Sequence, residues 1–179
     1  MLAEEEKVKR IINKENAKKI VIEQLDSEIS ESIKKLSIMI DELQKFNNDS
    51  TEITCIALFM CYIKRRCNLF FLEKETNSIL SQDLFKYLDE LSEIARYSNL
   101  KVATLNNSKD ILRIRNATLL YDFFHSIINL AIEKNCDTII EYLEIDSKFV
   151  VMKFLLSRDL GTFEIDTKLK QSINKENGQ

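Results

Sequence analysis

Residues 25–43 read LDSEISESIKKLSIMIDEL, and this stretch decides the fold of the N-terminal half. Apolar side chains recur at alternating spacings of three and four, which is typical of a helix that buries one stripe. The stripe continues on both sides of the stretch, and its apolar members are Ile22, Leu25, Ile29, Leu36, Met39, Leu43 and Phe46. We therefore predict one long helix from the N-terminus to about Phe46.

Glycine and proline, the two strongest helix breakers, are absent from residues 1–160. The first glycine is Gly161, and only one other follows it. This composition favours long helices. It also excludes a glycine-rich phosphate loop near the N-terminus.

A second long helix is predicted from residue 50 or 51 to about Glu73. The preceding Asn47-Asn48-Asp49 is a turn sequence, and a hydroxyl of Ser50 or Thr51 can cap the new helix. Because the connection is so short, we expect the two helices to form an antiparallel hairpin. Ile33 and Ile40 widen the stripe of the first helix, so we expect two hairpins to pair as a four-helix bundle in a homodimer.

After about residue 78 the pattern becomes a mixture of helices and strands, which makes the fold class α+β. We divide the chain into a helical hairpin at residues 1–78 and an α/β domain at residues 79–179. Helices are predicted at Gln82–Tyr97 (capped by Ser81), Thr118–Lys134 and Asp166–Asn174. Strands are predicted at Lys101–Leu105, Leu112–Arg115, Thr138–Glu144 and Phe149–Leu156, the last two joined by a turn at Asp146-Ser147-Lys148.

Charge and cysteine content exclude several classes of function. The net charge of -3 over 179 residues gives no footprint for nucleic acid. The four cysteines form no CxxC pair, and a single histidine is too few for a zinc site, so no metal site is predicted. We expect reduced thiols in the cytoplasm. No apolar run approaches the roughly 20 residues of a membrane span.

One run on the second helix, Tyr62-Ile63-Lys64-Arg65-Arg66-Cys67-Asn68-Leu69, is similar to a known family. Together with the order of elements, it resembles the cytoplasmic core of bacterial sensor histidine kinases. The resemblance implies a dimerising hairpin that carries the phosphoacceptor histidine. It also implies a following GHKL-type ATPase, an α/β sandwich that holds ATP and Mg²⁺ under a mobile lid.

The phosphoacceptor position holds an aspartate instead of a histidine. The family pattern resembles L-H-D-E-I-G, and here Leu25-Asp26-Ser27-Glu28-Ile29-Ser30 occupies that place. Asp26 would stand where the histidine belongs, and a carboxylate lacks the neutral nitrogen lone pair that accepts the phosphoryl group. Two interpretations remain open: a solvated carboxylate on a helix face, or a fixed mimic of the phosphorylated state.

The nucleotide motifs implied by the resemblance are also altered. In the run Leu120–Ala131, Leu130 stands where the Mg²⁺-binding Asn of the family belongs, and Asn129 lies one residue away. Asp159-Leu160-Gly161 resembles the D-x-G box that binds adenine, although a turn after a strand explains it equally well. No second glycine box follows. The only histidine, His125, has no partner at the spacing of a catalytic triad, which favours a packing or surface role.

These observations lead to two functional hypotheses and one alternative without kinase ancestry. The first is a dimeric, catalytically impaired histidine-kinase-like signalling core that transmits conformational change to a partner such as a response-regulator receiver domain. The second is a residual ATP-binding kinase or ATPase that uses Asp159 and Gly161. The third is a helical scaffold. For the first two we expect a cytoplasmic chain, which could be the soluble part of a membrane-anchored sensor.

Overall fold

The computed structural model describes residues 2–43, 50–106, 109–146 and 149–161, which form an α+β structure. In chain order the elements are α1 (Leu2–Leu43), α2 (Ser50–Glu75), β1 (Ser78–Leu80), α3 (Ser81–Ala95), a 3₁₀ turn (Arg96–Ser98), β2 (Lys101–Leu105), β3 (Ile111–Arg113), α4 (Ile114–Glu133), β4 (Thr138–Ile145) and β5 (Val150–Leu156). Phe46, the predicted turns at 47–49 and 147–148 and the predicted helix at 166–174 lie outside the described residues.

The two long helices are confirmed, and α1 packs against α2. Five members of the predicted stripe of α1 are half-buried, namely Leu25, Ile29, Leu36, Met39 and Leu43, whereas Ile22 is exposed. The widening residues Ile33 and Ile40 are exposed. The antiparallel hairpin, its four-helix dimer and the ATPase-like sandwich stay predictions at this point.

In the described part of the chain, five short strands form two separate sheets. β2, β4 and β5 make a three-stranded mixed sheet, in which β2 runs parallel to β4 and β5 runs antiparallel to it. β1 and β3 form an antiparallel pair. Because β2 and β4 are parallel, the chain must cross from one end of the sheet to the other between them, and α4 makes most of that crossing.

Each strand of the β1–β3 pair runs directly into a helix, and this geometry corrects two predictions. Ser81 does not cap α3 but is its first helical residue, and its N–H donates to the carbonyl of Asp110 beside β3. The predicted strand Leu112–Arg115 ends at Arg113, because α4 already begins at Ile114. The Ile114 N–H donates to the carbonyl of Asn77 beside β1. Strand β1 itself was not predicted, since three residues are too few for an alternating pattern.

A left-handed residue turns α4 towards β4. Asn135 has φ 51°, and the N–H groups of Asn135 and Cys136 donate to the carbonyls of Ile132 and Ala131. This is the pattern of a Schellman motif, in which asparagine is the usual substitute for glycine. The turn places β4 beside β2.

One hydrophobic core joins α2 to the later elements. Its fully buried members include side chains of α2 (Leu58, Leu69), α3 (Leu84, Leu88, Leu91), α4 (Tyr121, Phe124, Ile128) and β4 (Ile139). The domain boundary predicted after residue 78 therefore divides residues that share a core. That boundary stays a prediction.

Candidate functional site

The cationic run of α2 is the first part of the candidate site, and Arg65 joins it to α3. The Nε of Arg65 donates to Glu90 Oε2 at 2.6 Å, and its Nη2 donates to Oε1 of the same carboxylate. The guanidinium also lies 4.5 Å from the centroid of the Tyr87 ring. These hydrogen bonds from Arg65 hold the pKa of Glu90 below its ordinary value. A two-pronged pair of this kind fixes orientation as well as charge.

Arg66 and Tyr62 join α2 to α4 through a single carboxylate. The Nε of Arg66 lies 3.0 Å from Asp122 Oδ1, and the Tyr62 hydroxyl donates to the same oxygen at 2.9 Å. Both charged side chains are about four-fifths buried, with 20% and 19% of their surface exposed. Burial raises the pKa of Tyr62, with the charge of Asp122 as the second cause, so its phenol stays a hydrogen-bond donor.

Both arginines pair within their own chain, Arg65 with a carboxylate of α3 and Arg66 with a carboxylate of α4. Ion pairing across the dimer hairpin, which the sequence favours for Lys64, Arg65 and Arg66, stays a prediction. The contacts of these two arginines position one helix against two others.

Asn129 belongs to a buried aromatic cluster at the same α2–α4 interface. The His125 ring is stacked on Tyr62, with 4.1 Å between ring centroids, and lies 6.0 Å from the Phe59 centroid. Asn129 Nδ2 donates to His125 Nε2 at 2.9 Å. Burial, together with the charge of Lys35, lowers the pKa of His125 to about 3. His125 is therefore a neutral packing residue, and Asn129 is turned towards it.

Asp26 lies on the exposed side of α1, outside this cluster. Its neighbour Leu25 belongs to the half-buried stripe, so the carboxylate stands beside that stripe. This agrees with a solvated carboxylate. The geometry gives no indication of a phosphate mimic.

Asp159 and Gly161 form a turn after β5. The N–H of Gly161 donates to Asp159 Oδ1 at 2.8 Å, and the intervening Leu160 is buried in the core. Gly161 has φ +75°, and no atom lies within 4 Å of the position where a Cβ would stand. The turn therefore requires glycine for its backbone conformation, and one carboxylate oxygen of Asp159 is already engaged within the loop.

The described residues offer little that fits the ATP and Mg²⁺ implied by the resemblance. Leu130 presents a side chain without oxygen and packs against the core. Ser126 stands where the resemblance implies a glutamate, and its hydroxyl donates to the carbonyl of Asp122, one turn earlier on α4. Among the described residues, no three His, Cys, Asp or Glu side chains are grouped as metal ligands. Within the described residues, Asp159 and Gly161 keep the residue types of the D-x-G box that the resemblance implies.

The structure brings some predicted residues together and reveals others that sequence reasoning missed. Asn129 and His125 meet at one interface, whereas Asp26 lies on α1 and Asp159 follows β5. Glu90 and Asp122 were missed as partners of the arginines. The signal that could have found them is the requirement that half-buried arginines be paired.

No helix in the described ranges has the length and apolar character needed to cross a membrane. Neither the models of known protein families nor the curated proteins searched give a match to this chain.

Proposed function

We propose that this chain is the signalling core of a sensor that resembles histidine kinases, and that it transmits changes in helix packing without catalysing phosphoryl transfer. The observation that carries this proposal is the pair of charged contacts that fix α2 to α3 and α4. A helix that belongs both to an N-terminal hairpin and to the core of the α/β part is the element that an input must move.

The α2 interface is suited to transmission because its contacts are directional. Arg65 is held by two hydrogen bonds to Glu90, and Asp122 accepts from both Tyr62 and Arg66. Sliding or rotating α2 alone by one residue would break both groups of contacts. A displacement of α2 that keeps these contacts therefore carries α3 and α4 with it.

Loss of catalysis is the second element of the proposal. Asp26 replaces the phosphoacceptor, Leu130 replaces the Mg²⁺ ligand, and Asn129 is engaged by His125. A partner that reads the conformation, for which a receiver domain is our proposal, would then replace phosphoryl transfer as the output. A cytoplasmic location belongs to the same proposal. The four cysteines, which form no disulfide, support it.

Homodimerisation through α1 and α2 is the third element. The apolar residues that widen the α1 stripe leave much of their surface exposed, 47% for Ile33 and 37% for Ile40. On α2, Ile53 and Met60 are exposed as well, 47% and 53%. An antiparallel α1–α2 hairpin that pairs with a second copy would cover these side chains as a four-helix bundle.

Light scattering tests the dimer directly. We expect a mass of twice 21.0 kDa. Ile33→Lys combined with Ile40→Lys should give a folded monomer, because both side chains are exposed in the single chain and a buried ammonium would oppose pairing. Leu105→Lys is the control, since Leu105 is an exposed apolar residue on β2, away from the two long helices. A wild-type monomer at every concentration would contradict the proposal.

Nucleotide binding is the alternative, and the open, glycine-dependent turn at Asp159–Gly161 favours it. Calorimetry with Mg-ATP and with ADP separates the two. We expect no heat at millimolar nucleotide. Micromolar binding that Asp159→Ala abolishes would establish an adenine pocket. If the protein also transfers phosphate to itself, the non-catalytic proposal is overturned.

A further inference from the structure

Glu141 is a fully buried carboxyl group at the centre of the three-stranded sheet. It lies on β4, the middle strand, and its relative exposure is 0%. Its neighbours in register are Thr104 on β2 and Phe154 on β5. Phe154 in turn stacks on Phe124 of α4, with 6.1 Å between the ring centroids. The carboxyl group therefore lies in the layer between the sheet and the helices.

The two oxygens of this carboxyl group differ in their contacts. Oε2 accepts a hydrogen bond from Asn106 Nδ2 at 2.9 Å. Oε1 is buried and accepts none from any residue that the structure describes. A buried carboxylate with a single hydrogen bond is costly, because most of the hydration of its charge is not replaced. The neutral acid avoids most of this cost.

The charges around Glu141 act in the same direction. Asp89 of α3 is the charged neighbour, and it is held in place by the Thr104 hydroxyl, which donates to Asp89 Oδ1 at 2.6 Å. The facing groups on the other elements are neutral: Thr104 and Asn106 at β2, Phe154 on β5 and Phe124 on α4. Burial is the main cause that raises the pKa of Glu141 to about 7, and Asp89 adds to it, while the hydrogen bond from Asn106 opposes it.

Asn106 connects this carboxyl group to the backbone. Its Oδ1 accepts from the N–H of Leu143 at 3.0 Å, just beyond the last β2–β4 pair, Leu105 with Tyr142. Asn106 thus binds a side chain and a main-chain group of β4 at once. It is also the first residue of the connection from β2 to β3, the other end of which is fixed where Asp110 accepts from the N–H of Ser81.

We propose that Glu141 is a proton-controlled clamp, which as a neutral acid holds Asn106 against β4 and on losing its proton releases it. The released carboxylate moves towards water, because it cannot stay charged beside Asp89 in an apolar layer. The Asn106 contact exists only at the buried position and is lost with this movement. The proton passes to solvent, and no other group is consumed.

Hydrogen exchange at the Leu143 amide tests the clamp in the full chain. After correction for the intrinsic exchange rate, protection of this amide should fall about tenfold between pH 6 and pH 8. Glu141→Gln keeps a neutral side chain of the same shape, so its protection should not change with pH. Glu144→Gln is the matched control on the same strand, where an exposed carboxylate pairs with Lys153, and it should behave as wild type.

Two results would overturn the proposal: constant protection of Leu143 in the wild-type chain, or an undiminished fall in Glu141→Gln. A second measurement applies even if that variant does not fold. The carboxyl ¹³C resonance of Glu141 in the wild-type chain should titrate with a midpoint near pH 7. A midpoint near the ordinary 4.5 would contradict a clamp that works at neutral pH.

Discussion

Helices α1 and α2 are the two longest of the chain, and they differ in what they bury. None of the side chains described on α1 is fully buried, and the best covered are half-buried. On α2, six residues are buried, among them Leu58 and Leu69 at 0% exposure. Since burial of apolar surface is what stabilises a helix in water, α2 is held firmly by its own chain, whereas α1 gains much less from the contacts that the structure describes.

The largest effect that can test this comparison is a cavity in the core beneath α2. Leu69→Ala should lower the free energy of unfolding by about 2–5 kcal/mol, because the removed methyl groups leave a space that the helices cannot close. Ile22→Ala on α1 is the control, since 62% of Ile22 is exposed. Denaturant unfolding of both variants measures the difference. Equal losses would show that α1 is as well packed as α2.

A smaller effect is expected from protonation at the α2–α4 interface. The folded pKa of His125, about 3, lies below the ordinary 6.5, so the unfolded chain takes up a proton first as the pH falls. The stability due to neutral His125 is complete above pH 6.5 and is lost progressively below it, by about 2 kcal/mol at pH 5. His125→Gln removes this loss, and denaturant unfolding at pH 7 and pH 5 should show it.

Glu141 acts in the opposite sense over the same range. Its folded pKa of about 7 lies above the ordinary 4.5, so its contribution is complete below pH 4.5 and is lost as the pH rises through 7. The two groups should nearly cancel in the wild-type chain. Relative to pH 7, His125→Gln should therefore gain stability at pH 5 and Glu141→Gln should lose it. Profiles that shift in the same direction would refute this assignment.

The smallest expected effect comes from a comparison of two aspartates, one that contacts α2 and one on α1. Asp122→Asn removes the charge that holds Arg66 and Tyr62 to α4, and we expect a loss of about 1–2 kcal/mol, since about a fifth of each charged side chain remains exposed. Asp26→Asn on the exposed side of α1 should change stability by less than about 0.5 kcal/mol. Thermal unfolding of the two variants gives both values. A large loss for Asp26→Asn would reveal a contact of α1 that its exposure does not suggest.

Much of the fold follows from the sequence, because long periodic segments are easily recognised. The bounds of α1, α2, β2, β4 and β5 agree with the predictions to within about three residues wherever the structure describes them. The failures lie at junctions between strands and helices. Strand β1 and the starts of α3 and α4 depend on hydrogen bonds between residues some 30 positions apart, such as Ser81 with Asp110, and local patterns contain no record of these.

Less of the candidate site could be predicted. The sequence indicates that Arg65 and Arg66 matter, but Glu90 and Asp122 become their partners only through the way that three helices pack. The resemblance implies a nucleotide contact for Asn129. In the structure, the side chain of Asn129 contacts His125 on the same helix, and the His125 ring is stacked on Tyr62. No sequence pattern singles out Glu141. A single acidic residue in an apolar strand shows its burial only when the sheet is assembled.

Two reciprocal hydrogen bonds join the starts of α3 and α4 to the β1–β3 pair, and they affect where the chain can be truncated. The first N–H of α3 is bound beside β3, and the first N–H of α4 is bound beside β1. The first N–H of each helix is thus bound by the segment that precedes the other helix. A fragment that begins at residue 79 would lack Asn77 and both core leucines of α2, so we expect it to express as an aggregating or unfolded polypeptide. Fragments for separate study should begin no later than α2, because residues of that helix belong to the core of the α/β part.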